Sequence, residues 1–167
     1  MRHPLLHRFQ LLCVALVAAL FAPLVSAEPT DAPFQAAIAF SEQVATTGSS
    51  TPCFLVGTIS GRGVATMLGP VTLASTDCIN PLAPTFTSYA FSSSQVVLTA
   101  LNGDQVWATY GGILSSKGVI IGTYVIYGGT GHFVNASGSG ILHGLETIDL
   151  ATGAGTGQVQ LKGTLSY

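Results

Sequence analysis

The chain is 167 residues long, which suits a single domain of ordinary size. With 5 basic and 7 acidic residues and 48% hydrophobic residues, it lacks the basic surface of a nucleic-acid-binding protein and the polarity of a disordered chain. The composition is that of a small apolar globular domain or of a membrane protein.

The first 27 residues have the features of a cleavable signal peptide. Arg2 and Arg8 make a basic start, residues 11–25 form an apolar run, and Ser26-Ala27 ends it with small residues. The run is shorter than the ~20 residues that a membrane-spanning helix needs. We therefore predict a signal peptide over 1–27, a leader over 28–33 and one domain over 34–167. We expect a secreted or periplasmic protein with no stable membrane span after cleavage.

The domain is predicted to be all-β, because apolar residues alternate along it and no helical periodicity is present. Tight-turn sequences at Asn102-Gly103 and at 149–153 predict two hairpins. Residues 119–127 are apolar on both faces, which predicts a strand covered on both sides. The predicted strands number about eight to nine and cover residues 34–40, 51–66, 70–76, 86–91, 95–100, 105–110, 119–127, 141–148 and 158–167. Such a meander closes as a barrel or packs as a sandwich, because an open sheet leaves its edges exposed. We predict the closed antiparallel barrel, calycin-like in architecture.

The domain contains two cysteines, Cys53 and Cys78. An even pair in an exported chain indicates one disulfide; two free thiols or a metal pair are the alternatives. A metal site is disfavoured, because His132 and His143 lack ligand spacing to either cysteine. We predict no metal and no cofactor.

The predicted disulfide joins the ends of an early hairpin that turns near residues 68–70. Its two arms differ in length, which predicts either a bulge at Gly61 or Gly63 or a pairing with a bend. The Cα atoms of the two cysteines should lie within ~7 Å of each other.

Residues 122–140 read Gly-Thr-Tyr-Val-Ile-Tyr-Gly-Gly-Thr-Gly-His-Phe-Val-Asn-Ala-Ser-Gly-Ser-Gly. This segment resembles the strand–turn–strand signature of the allene oxide cyclase and dirigent barrels, including their small secreted bacterial relatives. The matching positions are Gly128, Gly129, Thr130, Gly131, Phe133, Ala136 and Gly138. The resemblance covers about 95–167 and implies a barrel that holds a reactive oxylipin or phenoxy intermediate and steers how it closes or couples. The functional residues of these families lie largely outside the matching segment, so the resemblance assigns no catalytic residue to the chain.

Two sets of residues are candidates for function. His143 alternates with Ile141 and Leu145, so we expect it to point into the barrel, as a weak candidate for acid–base catalysis or as a core residue. It lies too far along one strand from Asp149 to form a dyad. A second set is aromatic and is expected either to line an apolar ligand cavity at the barrel mouth or simply to pack: Trp107, Tyr110, Tyr124 and Tyr127.

These observations lead to three functional hypotheses. The first is a secreted, disulfide-stapled barrel that binds an apolar ligand or partner without catalysis. The second is a steering enzyme similar to allene oxide cyclases or dirigent proteins. The third is a small outer-membrane barrel, since the strands alternate and the chain ends on an aromatic residue, Tyr167.

Overall fold

A computed structural model describes residues 31–47, 52–82, 87–149 and 151–167 and shows the predicted closed antiparallel barrel. Each strand pairs with the next along the chain, and the last pairs with the first. The strands are β1 Ala32–Thr46, β2 Leu55–Ala65, β3 Gly69–Pro81, β4 Ser88–Ala100, β5 Gln105–Ser115, β6 Val119–Gly129, β7 Gly138–Asp149 and β8 Ala154–Leu165. The described ranges contain no helix with the length and hydropathy that a membrane span requires. The predicted signal peptide, 1–27, lies outside the described residues.

Both predicted tight hairpins are present. Gly103, between β4 and β5, and Gly153, between β7 and β8, have φ angles of +90° and +72°, which glycine adopts without a steric penalty. β1 extends beyond the predicted 34–40, because its buried alternation of Phe34, Ile38 and Glu42 continues to the far end of the barrel.

Two predicted segments, 86–91 and 95–100, are one strand with a bulge. The register of β4 against both neighbours shifts between Ser93 and Val96, where β4 has one extra residue. The inward-facing residues of β4 consequently have odd numbers before the bulge and even numbers after it. That change of phase is why the sequence pattern suggests two strands, and it accounts for a predicted count of up to nine.

The prediction that β6 is covered on both sides is wrong. Its inward residues Ile120, Tyr124 and Ile126 are buried, whereas the outward Ile121 and Val125 are 64% and 52% exposed. The reason is that the wall of the barrel is a single sheet, and no second layer among the described residues packs on its outer face.

The predicted disulfide between Cys53 and Cys78 is present, with the Cα atoms 5.1 Å apart. Cys53 lies just before β2, and Cys78 lies within β3, opposite Val56. The predicted bulge at Gly61 or Gly63 is wrong: the register of β2 and β3 is unbroken from one end to the other. The arms match in length because β3 continues past the cysteine to Pro81.

The two ends of the barrel differ. One end, which we call the signature end, contains the turns 66–68 and 101–104 and the segment 130–137. The side chains of Phe34 and Val106 at this end are each 1% exposed. The other end, where β1, β3, β5 and β7 finish, is called the opposite end. Its inward side chains Tyr89 and Leu114, which pair between β4 and β5, are partly exposed. The interior is therefore sealed by packing at one end only.

Removing the disulfide should destabilise the barrel without changing its fold. Closing a loop between residues 25 apart removes about 3–4 kcal/mol of conformational freedom from the unfolded chain on the loop-entropy model. The double variant Cys53→Ser/Cys78→Ser should lose roughly that free energy of unfolding in a urea titration and retain its far-ultraviolet circular dichroism spectrum. Identical urea midpoints for the variant and the oxidised protein would contradict the assignment.

Candidate functional site

The barrel encloses a cavity of about 100 Å³. Its wall is largely apolar and is formed by inward-facing side chains from all eight strands. The aromatic members of the lining are Phe34, Phe40, Tyr89, Phe91, Tyr110 and Tyr124. A concave apolar space with a few polar groups is the usual form of a small-molecule site.

Three acidic side chains interrupt this apolar lining. Glu42 of β1, Asp77 of β3 and Glu146 of β7 all face the cavity, in the half nearer the opposite end. Glu42 is 6% exposed and Asp77 is 5% exposed. We call these three residues the acidic row.

The acidic row is built by alternating acids with glycines across neighbouring strands. Gly155 of β8 is paired with Glu42, and Gly57 of β2 is paired with Asp77, whereas Glu146 is paired with the neighbouring inward glycine of β8, Gly157. A Cβ atom on Gly57 would lie 1.6 Å from Glu42 Oε1, and one on Gly155 would lie 2.8 Å from Glu146 Oε1. The absence of these two side chains is what gives the carboxyl groups room inside the barrel.

A hydrogen-bonded chain joins Asp77 to the bulge in β4. The Tyr110 hydroxyl donates to Asp77 and lies 2.9 Å from Ser75 Oγ. Ser75 Oγ donates to Ser93 Oγ at 2.9 Å, and Ser93 Oγ donates to the Gln95 carbonyl at 3.0 Å. The bulge thus supplies the final acceptor, which fixes the orientation of Tyr110 and Asp77.

Burial shifts the titration of the acidic row upward. It raises the pKa of Asp77 to about 7, although the hydrogen bond from Tyr110 acts in the opposite direction. Burial, followed by the hydrogen bond and the negative charge of Glu146, raises the pKa of Glu42 to about 9. Burial also raises the pKa of Glu146. At neutral pH Glu42 is therefore protonated and shares its proton with Glu146.

Three buried polar atoms have no hydrogen-bond partner within the described ranges: Oε1 of Glu42, Oε1 of Glu146 and the hydroxyl of Tyr124. The Tyr124 hydroxyl lies over Gly140 and Gly163, where a Cβ atom would be 2.6 Å away in each case. Burial raises the pKa of Tyr124 to about 12, so this hydroxyl stays protonated. Buried polar groups usually have hydrogen-bond partners, so these three atoms are exceptions within the barrel interior.

The four predicted aromatic residues divide between the two faces of the barrel. Tyr110 and Tyr124 line the cavity. Trp107 points outward and donates from Nε1 to Gln105 Oε1 at 3.0 Å, and Tyr127 is 48% exposed. Tyr127 lies on the outer face because the inward positions of β6 are the even-numbered ones, Tyr124 and Ile126.

The expectation that His143 points inward is wrong, because its side chain is exposed on the outer face of β7. Its neighbours Ile141 and Leu145 are also outward, with exposures of 54% and 63%. The inward phase of β7 is carried by Leu142 and Glu146. Glu146, which the pattern places on the face away from His143, is the residue that reaches the cavity.

Sequence reasoning did not identify the acidic row. A signal was present in β1, where Glu42 continues the inward series of Phe34, Ala36, Ile38 and Phe40. A carboxyl group in phase with a buried apolar series is unusual, since acidic residues are seldom fully buried. Gly57, an inward-facing glycine of β2, lies against the same carboxyl group.

The glycine-rich signature has a structural position at the signature end, away from the acidic row. It runs from Gly128 and Gly129 at the end of β6 through Thr130 to Gly138 at the start of β7. Gly131 has φ +58°, and a Cβ atom there would lie 1.8 Å from Asp104 Oδ1. Phe133 is 4% exposed and packs against Tyr167, with ring centroids 4.9 Å apart.

Two further contacts hold the signature segment against the turn between β4 and β5. Thr130 Oγ1 accepts from the Gln105 amide at 3.0 Å, and His132 Nδ1 lies 2.6 Å from Asp104 Oδ2. The segment therefore closes one end of the barrel. Within the described ranges, no group of three or more His, Cys, Asp or Glu side chains is arranged to hold a metal ion.

Comparison with known proteins identifies a related fold. No protein-family model matches the chain, and no curated protein matches its sequence. Among solved structures, the barrel is similar to that of the pterocarpan synthase dirigent protein GePTS1, with a TM-score of 0.51 and 12% sequence identity. The match covers 90% of this chain and 99% of that chain. The fold is thus a dirigent-like barrel, as the sequence resemblance implied.

Because the pKa of Glu42 is raised in the folded protein, the free energy of unfolding should decrease as the pH rises. The pKa of Glu42 is about 9 in the folded protein and near 4 in an unfolded chain, so the folded state binds more protons between these values. Its stabilising contribution is full below about pH 4 and is lost as the pH rises toward about 9. The neutral variant Glu42→Gln should therefore melt several degrees above the wild type at about pH 9 and close to it at about pH 4.

The matched control for Glu42→Gln is Asp149→Asn. Hydrogen bonds from Ala151 and Thr152 lower the pKa of Asp149, which is fully exposed, so this variant should gain no stability at high pH. Melting temperatures measured by differential scanning calorimetry across this pH range test both variants. Equal gains for the two variants at high pH would show that Glu42 is not the source of the dependence.

The packing of Gly57 against Glu42 can be tested by a double-mutant cycle. Gly57→Ala places a methyl group on the Glu42 carboxyl and should lower the free energy of unfolding by about 1–3 kcal/mol. In a Glu42→Ala background the same substitution should cost much less, because the atoms that it meets are gone. Chemical denaturation of the four proteins gives the coupling. The same loss in both backgrounds would be inconsistent with this packing.

Proposed function

We propose that this protein binds a small, largely apolar molecule inside its barrel and acts as a binding module. The observation that carries the proposal is an interior cavity with apolar and aromatic walls and a polar group at one level, the acidic row. The ligand would enter at the opposite end, where Tyr89 and Leu114 are partly exposed. Burial of its apolar surface would supply most of the affinity, at roughly 25 cal/mol per Å².

Polar groups of the cavity would orient the ligand. The Oε1 atoms of Glu42 and Glu146, which have no hydrogen-bond partner within the described ranges, can accept hydrogen bonds from it. These groups lie at one level of an otherwise apolar space, so a ligand with a single polar end would bind in one direction.

A steering enzyme is the second candidate. Its support is the similarity of the barrel to a pterocarpan synthase dirigent protein, together with Asp77, whose pKa of about 7 suits a group that exchanges protons near neutral pH. A reproducible chemical change in a bound ligand, abolished by Asp77→Asn, would favour this candidate over simple binding.

The outer-membrane alternative receives no support from the interior. Transmembrane barrels have an apolar outer band and a polar lumen, whereas this lumen is apolar for most of its length. We propose instead that the protein is exported and works as a secreted or periplasmic barrel. The predicted signal peptide and the disulfide support that location.

Filling the cavity should weaken ligand binding. Ala108 is 6% exposed and lines the cavity, so Ala108→Leu would place three more carbon atoms inside it. Ala74 is on the outer face of β3, so Ala74→Leu is the matched control. Binding of 1-hexanol, followed by NMR shift changes of the lining residues, should weaken about tenfold or more in Ala108→Leu and stay unchanged in Ala74→Leu. Equal binding by both variants would place the ligand outside the barrel.

A further inference from the structure

We infer that the barrel selects ligands that carry a positively charged amino group on an apolar body: hydrophobic amines. This inference rests on the proposed binding function and names the class of ligand. It follows from the charges of the cavity, from its unpartnered oxygen atoms and from its aromatic walls.

The cavity has acidic side chains and no basic partner for them within the described ranges. Glu42, Asp77 and Glu146 line it. The basic and histidine side chains of the described ranges are all exposed outside the barrel: Arg62, Lys117, His132, His143 and Lys162. An acidic group in an apolar interior is normally paired or protonated, because burying an uncompensated charge is costly. A cation supplied by the ligand would complete this pairing.

Two acceptor atoms of the acidic row are available to such a cation. Oε1 of Glu42 and Oε1 of Glu146 are buried and have no hydrogen-bond partner within the described ranges. Glu42 is 94% buried, since its exposure is 6%, and its side chain faces the cavity. An ammonium group has three donors and no acceptor, so it can bond to both oxygens and neutralise charge at the same time. An alcohol has one donor and no positive charge, so it cannot neutralise the charge of the carboxyl groups.

Other cations suit the site less well. The acidic side chains are not arranged to hold a metal ion, which also needs several close oxygen ligands. The remainder of the lining is aromatic and aliphatic, with Phe40, Phe91 and Tyr110 among it. Aromatic faces attract organic cations, and the apolar wall takes up a hydrocarbon chain. A ligand that is itself a carboxylate would be repelled by the acidic row.

Binding of an amine should be linked to loss of protons from the acidic row. The titratable groups facing this space are Glu42 on β1, Asp77 on β3, Tyr89 on β4, Tyr110 on β5, Tyr124 on β6 and Glu146 on β7; the inward positions of β2 and β8 contribute only apolar residues and glycine. Tyr110 and Tyr124 stay protonated across the neutral range, since burial raises the pKa of both. The affinity for an amine should therefore rise with pH as the carboxyl groups ionise.

The decisive comparison is between n-hexylamine and 1-hexanol, which have the same number of non-hydrogen atoms. In isothermal titration calorimetry at about pH 8, the amine should bind about tenfold more tightly than the alcohol, or better. Its affinity should increase between about pH 5 and about pH 8, while that of the alcohol stays flat. In Glu42→Gln/Glu146→Gln the ratio of the two affinities should fall about threefold or more, with Asp77 left as the one carboxyl group of the acidic row, whereas the surface variant Asp149→Asn should retain the wild-type ratio.

The outcomes separate this inference from the proposed function. If the alcohol binds inside the barrel as tightly as the amine at about pH 8, or if the ratio survives in Glu42→Gln/Glu146→Gln, the inference is overturned and the binding function stands. If neither compound shifts the NMR signals of the lining residues, both are overturned. The comparison in the wild-type protein decides the matter even if the double variant does not fold.

Discussion

The pairing of β8 with β1 is the constraint on which the rest of the structure depends. This ladder runs from Ala32 opposite Leu165 to Gln43 opposite Ala154 and closes the sheet. Closure satisfies the backbone hydrogen bonds of both edge strands and makes one face of every strand an interior surface. Two further features stabilise the closed sheet. The disulfide links the start of β2 to β3, and the signature segment packs at the signature end of the barrel.

The closed wall also creates the acidic row. The inward positions of the acidic row and its glycines lie on five neighbouring strands, from β7 to β3. Large side chains at all of these positions would exceed the space inside the barrel. Gly155 and Gly57 remove that crowding, and the acids occupy the space. Burying these carboxyl groups opposes folding near neutral pH, where an apolar side chain would stabilise the barrel. Groups that weaken the fold and face a cavity support the proposed role of the acidic row in binding.

The sequence predicted the architecture well because the barrel depends on features that are local in the chain. Alternation defined most strands, and Asn102-Gly103 and the 149–153 turn defined two hairpins. The site was not predictable in the same way, because its acids are far apart in sequence and meet only through the register of five strands. On β7 the pattern is ambiguous: apolar residues occupy both faces, and the inward phase contains glycines. Such a strand gives no clear inward side, which is why His143 was placed inside and Glu146 was not.

The central claim, that three carboxyl groups share an apolar interior, can be measured directly. Site-resolved carbon-13 NMR titration of the side-chain carboxyls reports the protonation of each group in the folded protein. We expect midpoints of about 7 for Asp77 and about 9 for Glu42, with Glu146 also above its ordinary range and Asp149 below it. Titration of Glu42, Asp77 and Glu146 near pH 4, as in an unfolded chain, would contradict it.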